Sequence, residues 1–321
     1  MIIVTGGAGF IGCNIIKALN KISYNNILVV DNLKNGRKYK NLTNLYISDY
    51  MDKNLFIKNL LNNSINSYIK DIDVVFHEGA CSSTTEWNGK YLMENNYQYS
   101  KDLLIYCIKY NIPFIYASSA SVYGKNTSMI LSSQKHEQPI NIYSYSKYLF
   151  DQYIRTILPK VTSQVCGLRY FNVYGPYEAH KGNMASIIFQ LYKQIKNKKN
   201  PKLFTGSKQL QRDFIHVEDI VDINLWAWSN NISGIFDCGT GQSESFDSIT
   251  NIVLSSLNSN ITIKYISIPK KIRDHYQVFT QANLSQLKKA GYHKQFININ
   301  QGVRQYLNWL SCNDIDHYNI Q

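Results

Sequence analysis

Tyr143 and Lys147, four positions apart, form the most reactive pairing in the chain. On a helix this spacing puts both side chains on one face, where an ammonium can pull a phenol below its ordinary pKa of about 10. A phenol tuned in that way can take a proton from an alcohol at neutral pH and give it back. Upstream runs Ser118-Ser119-Ala120-Ser121-Val122-Tyr123-Gly124, from which Ser119 would hydrogen-bond the reacting oxygen. Tyr145 lies two residues before Lys147 and so falls on a different face. In a chain with 25 Tyr the spacing alone could be coincidence, so its weight comes from what surrounds it.

A phosphate-binding pattern sits near the start of the chain, in Thr5-Gly6-Gly7-Ala8-Gly9-Phe10-Ile11-Gly12. Gly6 and Gly9 would allow a tight turn and close backbone approach to a pyrophosphate, and Gly12 would let the following helix pack on a sheet. Asp31, at the end of the next apolar run, has the position and charge to accept ribose hydroxyls, which favours NAD. Arg37 and Lys38, just beyond Asn32, could pair with a 2′-phosphate, which favours NADP. Residue types alone leave both cofactors open.

The elements that must position these groups are legible as alternating patterns. Short β-branched runs at 2–4, 27–30, 74–76, 114–116 and 165–168 lack polar alternation, as strands buried on both faces do. Helical stretches at 11–19, 97–110 and 143–158 separate them. The expected fold is α/β, a Rossmann-type doubly wound parallel sheet with a smaller interleaved C-terminal substrate-binding domain. Residues 1–172 with about 211–240 would form the dinucleotide half, the latter piece rejoining the sheet. Residues about 173–210 with 241–321 would form the substrate half.

Composition narrows the classes further. The net charge of +12 invites a nucleic-acid or anionic-membrane reading, but the basic residues are scattered. The dense run at 196–202 reads as a solvated turn. Six cysteines, widely spaced and without a C-x-x-C pair, point to a reducing compartment and no metal site. With no leader-like segment and no apolar run near the ~20 residues of a bilayer span, the expectation is a soluble cytoplasmic protein without nucleic-acid or membrane partners.

Taken together, the glycine loop, the serine string and the Tyr143/Lys147 pair resemble the extended short-chain dehydrogenase/reductase family. Where most relatives carry a His-Leu-Ala-Ala type string, this chain reads His77-Glu78-Gly79-Ala80-Cys81-Ser82-Ser83-Thr84-Thr85-Glu86-Trp87. That string is similar to the signature of the heptose 6-epimerase branch. Further matches are Asn95-Asn96-Tyr97-Gln98, Arg169-Tyr170-Phe171-Asn172-Val173-Tyr174-Gly175-Pro176, His180-Lys181-Gly182 and Tyr276-Gln277.

The resemblance implies an ADP-heptose substrate, tightly bound NADP and a homo-oligomer, a pentamer in that branch. It places Phe10, Ile11, Asp31, Asn32, Lys38, Lys53, Glu78, Gly79, Ala80, Cys81, Ser82, Asn95, Lys147 and Val173 around the cofactor. It places Asn172, Asn183, Phe204, Thr205, Gly206, Ser207, Arg212 and Tyr276 against the substrate, with Ser119 and Gln190. Asn183 and Gln190 depart from the residues usual there, and both can still hydrogen-bond. Epimerisation through a keto sugar must deliver its proton from two directions, and Lys181, in a loop expected to overhang the cofactor, is the candidate second acid/base beside Tyr143. A 4,6-dehydratase is disfavoured because Ala120 and Ser121 stand where an acidic residue is needed. A UDP-hexose 4-epimerase remains the nearest alternative, and a non-catalytic NADP- or RNA-binding relative the remote one.

Overall fold

Largely apolar, buried chain segments form most of the central sheet. The computed structural model describes residues 1–64, 71–125, 134–269 and 277–313. The order is β1 (Ile2–Thr5), α1 (Phe10–Lys21), β2 (Ile27–Asp31), β3 (Asp49–Asp52), α2 (Lys53–Leu61), β4 (Val74–His77) and α3 (Gly89–Leu92). A π-helical turn (Met93–Gln98) leads into α4 (Tyr99–Lys109), followed by β5 (Phe114–Ser119), α5 (Ile142–Ile157) and β6 (Val165–Tyr170). Then come β7 (Asn172–Tyr174), α6 (Ile187–Lys196), β8 (Lys202–Phe204), β9 (Gln211–His216), α7 (Val217–Ser229) and β10 (Gly234–Cys238). The last elements are β11 (Ser243–Ser245), α8 (Phe246–Ser256), β12 (Lys264–Ile266), α9 (Ser285–Lys289) and α10 (Ile299–Cys312).

Seven strands pair in the order β10-β6-β5-β4-β1-β2-β3, all parallel. Successive strands therefore step outward from β1 in opposite directions, and the reversal opens a crevice at the carboxyl ends of β1 and β4, where Thr5 pairs with His77. The expected doubly wound sheet is present.

A smaller lobe is built on β11-β9-β7 and on the parallel pair β12-β8. Its core gathers Tyr174, Ile188, Phe189, Ile249, Val303 and Leu307. The piece at 211–240, expected to rejoin the main sheet as a unit, divides: β10 becomes the seventh strand beside β6, whereas β9 lies between β7 and β11. Strand length and composition do not specify which sheet receives either segment: β9 (QRDFIH) is mixed and β10 (GIFDC) largely apolar.

One buried ionic network fastens β5, β6 and α5 together. Arg169, 3% exposed on β6, donates to Asp151 Oδ2 at 2.8 Å, Tyr123 Oη at 2.8 Å and Glu137 Oε1 at 2.7 Å. Asp151 also accepts from Tyr116 Oη and Ser118 Oγ on β5, each at 2.9 Å. Glu137 takes a second, two-pronged pairing from Arg155 of α5. Tyr116 reaches Asp151 across Gly167, where any Cβ would lie 2.4 Å from its hydroxyl.

Replacing Arg169 with Met fills the volume but strands Asp151, whose remaining partners are neutral. Breaking a buried ion pair from one side costs about 3–5 kcal/mol. Arg169→Met should lower the urea midpoint accordingly, and a midpoint within error of the parent would mean that the network is dispensable.

Candidate active site

The crevice is lined first by the glycine loop. Gly6 has φ of +65°, a conformation that suits glycine. A Cβ on Gly6 would lie 2.7 Å from Gly79 N, and one on Gly12 2.4 Å from Gly6 O. The loop after β1 thus packs backbone to backbone against both its own helix and the 78–82 segment. Gly9 caps α1 with extended backbone and no side chain acceptor, which leaves the positive end of the helix available to an anion. This cradle fits a pyrophosphate, and Gly6, Gly9 and Gly12 form it, with Phe10 and Ile11 opening α1 beside it.

A hydrogen-bond chain spaces the two loops. Gly79 N donates to Thr5 Oγ1 at 3.1 Å, and Thr5 Oγ1 meets His77 Nδ1 at 2.6 Å. His77 Nε2 meets Ser100 Oγ at 2.8 Å, and Ser100 donates to Asn96 O at 2.8 Å. Since the Ser100 hydrogen is spent on that carbonyl, Nε2 must carry the imidazole hydrogen and Nδ1 must accept from Thr5. Burial pushes His77 down to about 3, with the Lys147 charge adding to the shift, so it works here as a neutral spacer.

Asp31 at the end of β2 is buried and already heavily used. Its Oδ1 accepts from Asn32 N at 2.7 Å, Leu33 N at 3.3 Å and Lys38 Nζ at 2.5 Å, while Oδ2 accepts from Ala8 N at 3.2 Å. Lys38, offered for a 2′-phosphate, is paired with Asp31 in the chain alone. Lys53 donates to Asn95 Oδ1, and Asn95 donates to Tyr91 O at 2.7 Å. The π-helical turn lets the next residue, Asn96, serve a different strand end. Asn96 receives Cys81 N at 2.8 Å and donates to Cys81 O at 3.0 Å and Ser146 Oγ at 3.1 Å. That clamp fixes the loop carrying Glu78, Gly79, Ala80, Cys81 and Ser82. Val173, on β7, is half-buried.

The reactive pair is assembled by β5 and the first turns of α5. Asn141 and Ser144 cap that helix reciprocally, which places Tyr143 in its first turn. Ser119 is the polar neighbour that lowers the Tyr143 phenol, and Lys147 Nζ donates to Ala117 O at 2.7 Å. Tyr145 points away and is 42% exposed. The expected lowering of the phenol by Lys147 is not seen in the chain alone, where Lys147 is not among the groups that shift it. Burial raises the Tyr143 pKa, Ser119 pulls it back, and the Cys81 thiol adds to the rise. The same burial lowers Lys147 to about 8, with Glu78 foremost among the groups that restore it.

Lys181 lies in a 3₁₀ segment (Ala179–Met184) that bends at Gly182, with φ of +57°. Its Nζ is 5.1 Å from the centre of the Phe10 ring. Burial pushes its pKa down and Glu178 partly restores it. The described contacts therefore place it on the glycine-loop side of the cleft. Two residues that the sequence did not single out hold that segment in place. Asn14 donates to Pro176 O at 3.1 Å, and Asn41 donates to Ala8 O at 2.9 Å and Tyr177 O at 3.3 Å.

Several residues expected to meet substrate are engaged within the small lobe. Gln190 donates to Gly182 O at 2.6 Å, so it shapes the loop that presents Lys181 and Asn183. Ser207 donates to Asp247 Oδ2, and Thr205 N to Ile266 O at 2.8 Å. Gly206 turns with φ of +86° after the half-buried Phe204. Arg212 is buried, donates to the carbonyls of Gln211 and Gln277, and sits 5.6 Å from the Phe246 ring centre. Asn172 and Asn183 are exposed, and Tyr276 lies outside the described residues. Gln277 joins the lobes by donating to Gly124 O at 2.7 Å, next to the serine string. Among the described residues no cluster of His, Cys, Asp and Glu could hold a metal ion, and no helix is long and apolar enough to cross a membrane.

Residues 2–239 match the NAD dependent epimerase/dehydratase family. The chain belongs to that family. Among solved structures it is similar to the ADP-L-glycero-D-manno-heptose-6-epimerase of Helicobacter pylori, with 30% identity over 97% of this chain and 96% of that one and a TM-score of 0.84. It is similar also to a UDP-N-acetylglucosamine 4-epimerase of Methanobrevibacter ruminantium M1, with 28% identity, 97% and 98% coverage and a TM-score of 0.84. The UDP-glucose 4-epimerase of Thermotoga maritima shares the fold at 24% identity, with a TM-score of 0.83 and coverage of 97% and 98%. As a member of the epimerase/dehydratase family, the chain is a sugar-nucleotide enzyme that works with a nicotinamide cofactor.

The loop geometry gives a direct test of cofactor binding. A methyl at position 12 would meet the backbone of Gly6 and Gly7, which have no rotamer to yield. Overpacking of this kind costs about 1–3 kcal/mol, equivalent to about 5- to 150-fold in affinity. Gly12→Ala should weaken nicotinamide dinucleotide binding by that factor in calorimetry; unchanged affinity would remove the loop from the site.

Proposed function

We propose that the chain is an ADP-glyceromanno-heptose 6-epimerase, interconverting ADP-D-glycero-D-manno-heptose and ADP-L-glycero-D-manno-heptose with bound NADP, in the lipopolysaccharide inner-core pathway. The string His77 to Trp87, at the carboxyl end of β4, carries the reading. The 30% identity to the heptose epimerase across nearly all of both chains supports it. On the same basis the protein would act in the cytoplasm as a homo-oligomer.

A bound nicotinamide would supply the chemistry of hydride removal from C6 of the heptose and of its return. Tyr143 Oη takes the proton of the C6 hydroxyl, giving a 6-keto sugar. Ser119 Oγ, which acts on the Tyr143 phenol, would hold the same oxygen. Lys147, anchored by Ala117 O, presents its ammonium to the cofactor ribose. The keto carbon then turns its other face, so its oxygen needs a proton from a new direction. Lys181 supplies it, its pKa lowered by burial so that the ammonium releases a proton more readily. Arg212 and the 204–207 turn would hold the diphosphate end, and Asn172 and Asn183 the sugar. Lys38 would exchange Asp31 for the 2′-phosphate of NADP.

The second reading is a UDP-hexose 4-epimerase, favoured by 28% identity to the 4-epimerase of M. ruminantium over the same span. Incubating the purified protein separately with ADP-D-glycero-D-manno-heptose, UDP-glucose and UDP-N-acetylglucosamine separates the two by proton NMR. We expect turnover of the heptose alone, and NADP rather than NAD in the cofactor released on denaturation. Conversion of a UDP-sugar with the heptose untouched would overturn the assignment.

Lys181→Met keeps the apolar stem beside Phe10 and removes the transferable proton. Loss of a general acid/base costs about 10²–10⁴ in rate. We expect kcat to fall by at least ~100-fold with cofactor retained. Normal kcat in the loaded variant would leave Tyr143 as the single acid/base.

A further inference from the structure

The turn that carries Lys38 is fastened at both ends to the segment that carries Lys181. This 3₁₀ turn (Gly36–Asn41) follows β2 and brings Lys38 back onto Asp31. Asn35 caps its start: the side-chain Oδ1 accepts from Arg37 N at 3.2 Å, and the main-chain oxygen accepts from Lys38 N at 3.1 Å. The other arm of the same amide, Nδ2, donates to His180 O at 3.1 Å, 145 residues further along the chain. Asn41, the last residue of the turn, is 2% exposed, donates to Tyr177 O at 3.3 Å, and has its Nδ2 3.1 Å from His180 Nδ1. It also donates to Ala8 O in the glycine loop at 2.9 Å. His180 is thus held by its carbonyl and by its ring, and Lys181 is the next residue. Beyond Lys181 the packing opens, since Gly182 is exposed and a Cβ built on it would meet nothing within 4 Å among the described residues.

We propose that Asn35 is a positioning residue for Lys181: it ties the turn that meets the ribose end of the cofactor to the segment of the second acid/base, so that loading the cofactor also sets Lys181. It rests on the readings of Lys38 as a cofactor cation and of Lys181 as the second acid/base. An amide suits the task because one planar group offers both an acceptor and a donor. Here the acceptor is used within the turn and the donor across the gap, so a shift of the turn is carried to the carbonyl of His180.

The joint matters once Lys38 has a cofactor phosphate to hold. In the chain alone Lys38 is kept by Asp31, and the turn can open and close with that one ion pair. A dinucleotide that takes Lys38 adds contacts to the turn, and opening of the Lys181 segment must then break a bond to a partner that no longer yields. Binding at one place and local opening at another are linked in this way by a coupling free energy. Asn41 takes part from the buried side, where the same amide reaches the glycine loop. Gln190, which donates to Gly182 O at 2.6 Å, holds the segment from α6 and makes no contribution to this link.

Asn35 is exposed, so its replacement leaves the core intact, and Asn35→Ser keeps a good cap acceptor while removing the donor to His180. Hydrogen exchange at the amides of 179–184 would be followed by mass spectrometry in the full chain stripped of cofactor and in the chain saturated with NADP. The parent, Asn35→Ser and Gln190→Met would be compared, with NAD in a parallel series. Loading should slow exchange in the parent by about 5-fold or more. Asn35→Ser, still loaded, should cut that ratio by about 2- to 10-fold, the worth of one neutral hydrogen bond. Gln190→Met should exchange faster in both states with the ratio kept, as a merely structural contact would. No slowing in the parent, an undiminished ratio in Asn35→Ser, an equal loss of the ratio in Gln190→Met, or failure of Asn35→Ser to load cofactor would each overturn the proposal. No substrate is present, so an error in the heptose assignment leaves these outcomes unchanged. An error in the role of Lys181 would show in the kcat of Lys181→Met and not in the exchange.

Discussion

The guanidinium of Arg169 is the constraint on which the catalytic frame depends. It lies inside the sheet's carboxyl end with three acceptors from three parts of the chain, and its partner Asp151 is on the same helix as Tyr143 and Lys147. The other donors to Asp151, Tyr116 and Ser118, come from β5, the second of them one residue before Ser119. An acid/base group acts only within about 2.6–3.2 Å of its target oxygen, so the depth of α5 on the sheet must be held to a fraction of that. A greasy contact between α5 and β5 would tolerate sliding. A planar cation with fixed hydrogen-bond directions does not.

The cleft above this frame is polar by design but carries few unpaired charges. The donor chain from Gly79 through Thr5, His77 and Ser100 to Asn96 is directional along its whole length and neutral throughout. Neutral spacers separate the two loops without adding a field that would compete with Lys147, Lys38 and Lys181. The positive charge of the site is thereby concentrated on four lysines, the fourth being Lys53 on Asn95, and one helix end. Two of those lysines face a carboxylate, Asp31 for Lys38 and Glu178 for Lys181.

How much of this could be read from the residues follows from the range of each interaction. The glycine loop encodes a turn within eight residues, and the Tyr143/Lys147 pair a helical face within five, so both were legible. The main sheet was legible where its strands are apolar and buried, as in β1, β2 and β4, and not at its edge, where β3 is polar and partly exposed. Asn14 and Asn41 were not, since their acceptors lie 162 and 136 residues away at Pro176 and Tyr177, and neither carries a spacing signature. Asn96 sat inside a recognised string but was passed over for Asn95. Only the π-helical turn reveals that adjacent residues serve different partners. Gln190 and Ser207 look like substrate contacts by type, and their partners within the lobe appear only in three dimensions.

Gly167 and Tyr116 illustrate a coupling that shapes how such a protein can drift. The phenol ring crosses the space that a side chain at 167 would occupy, and its hydroxyl is one of the donors that satisfy Asp151. Mutation at 167 alone collides with the ring, and shrinking the ring alone leaves a void and a thirsty carboxylate. The two positions are therefore inherited as a unit: a lineage leaves this arrangement only through an intermediate that is worse than either end.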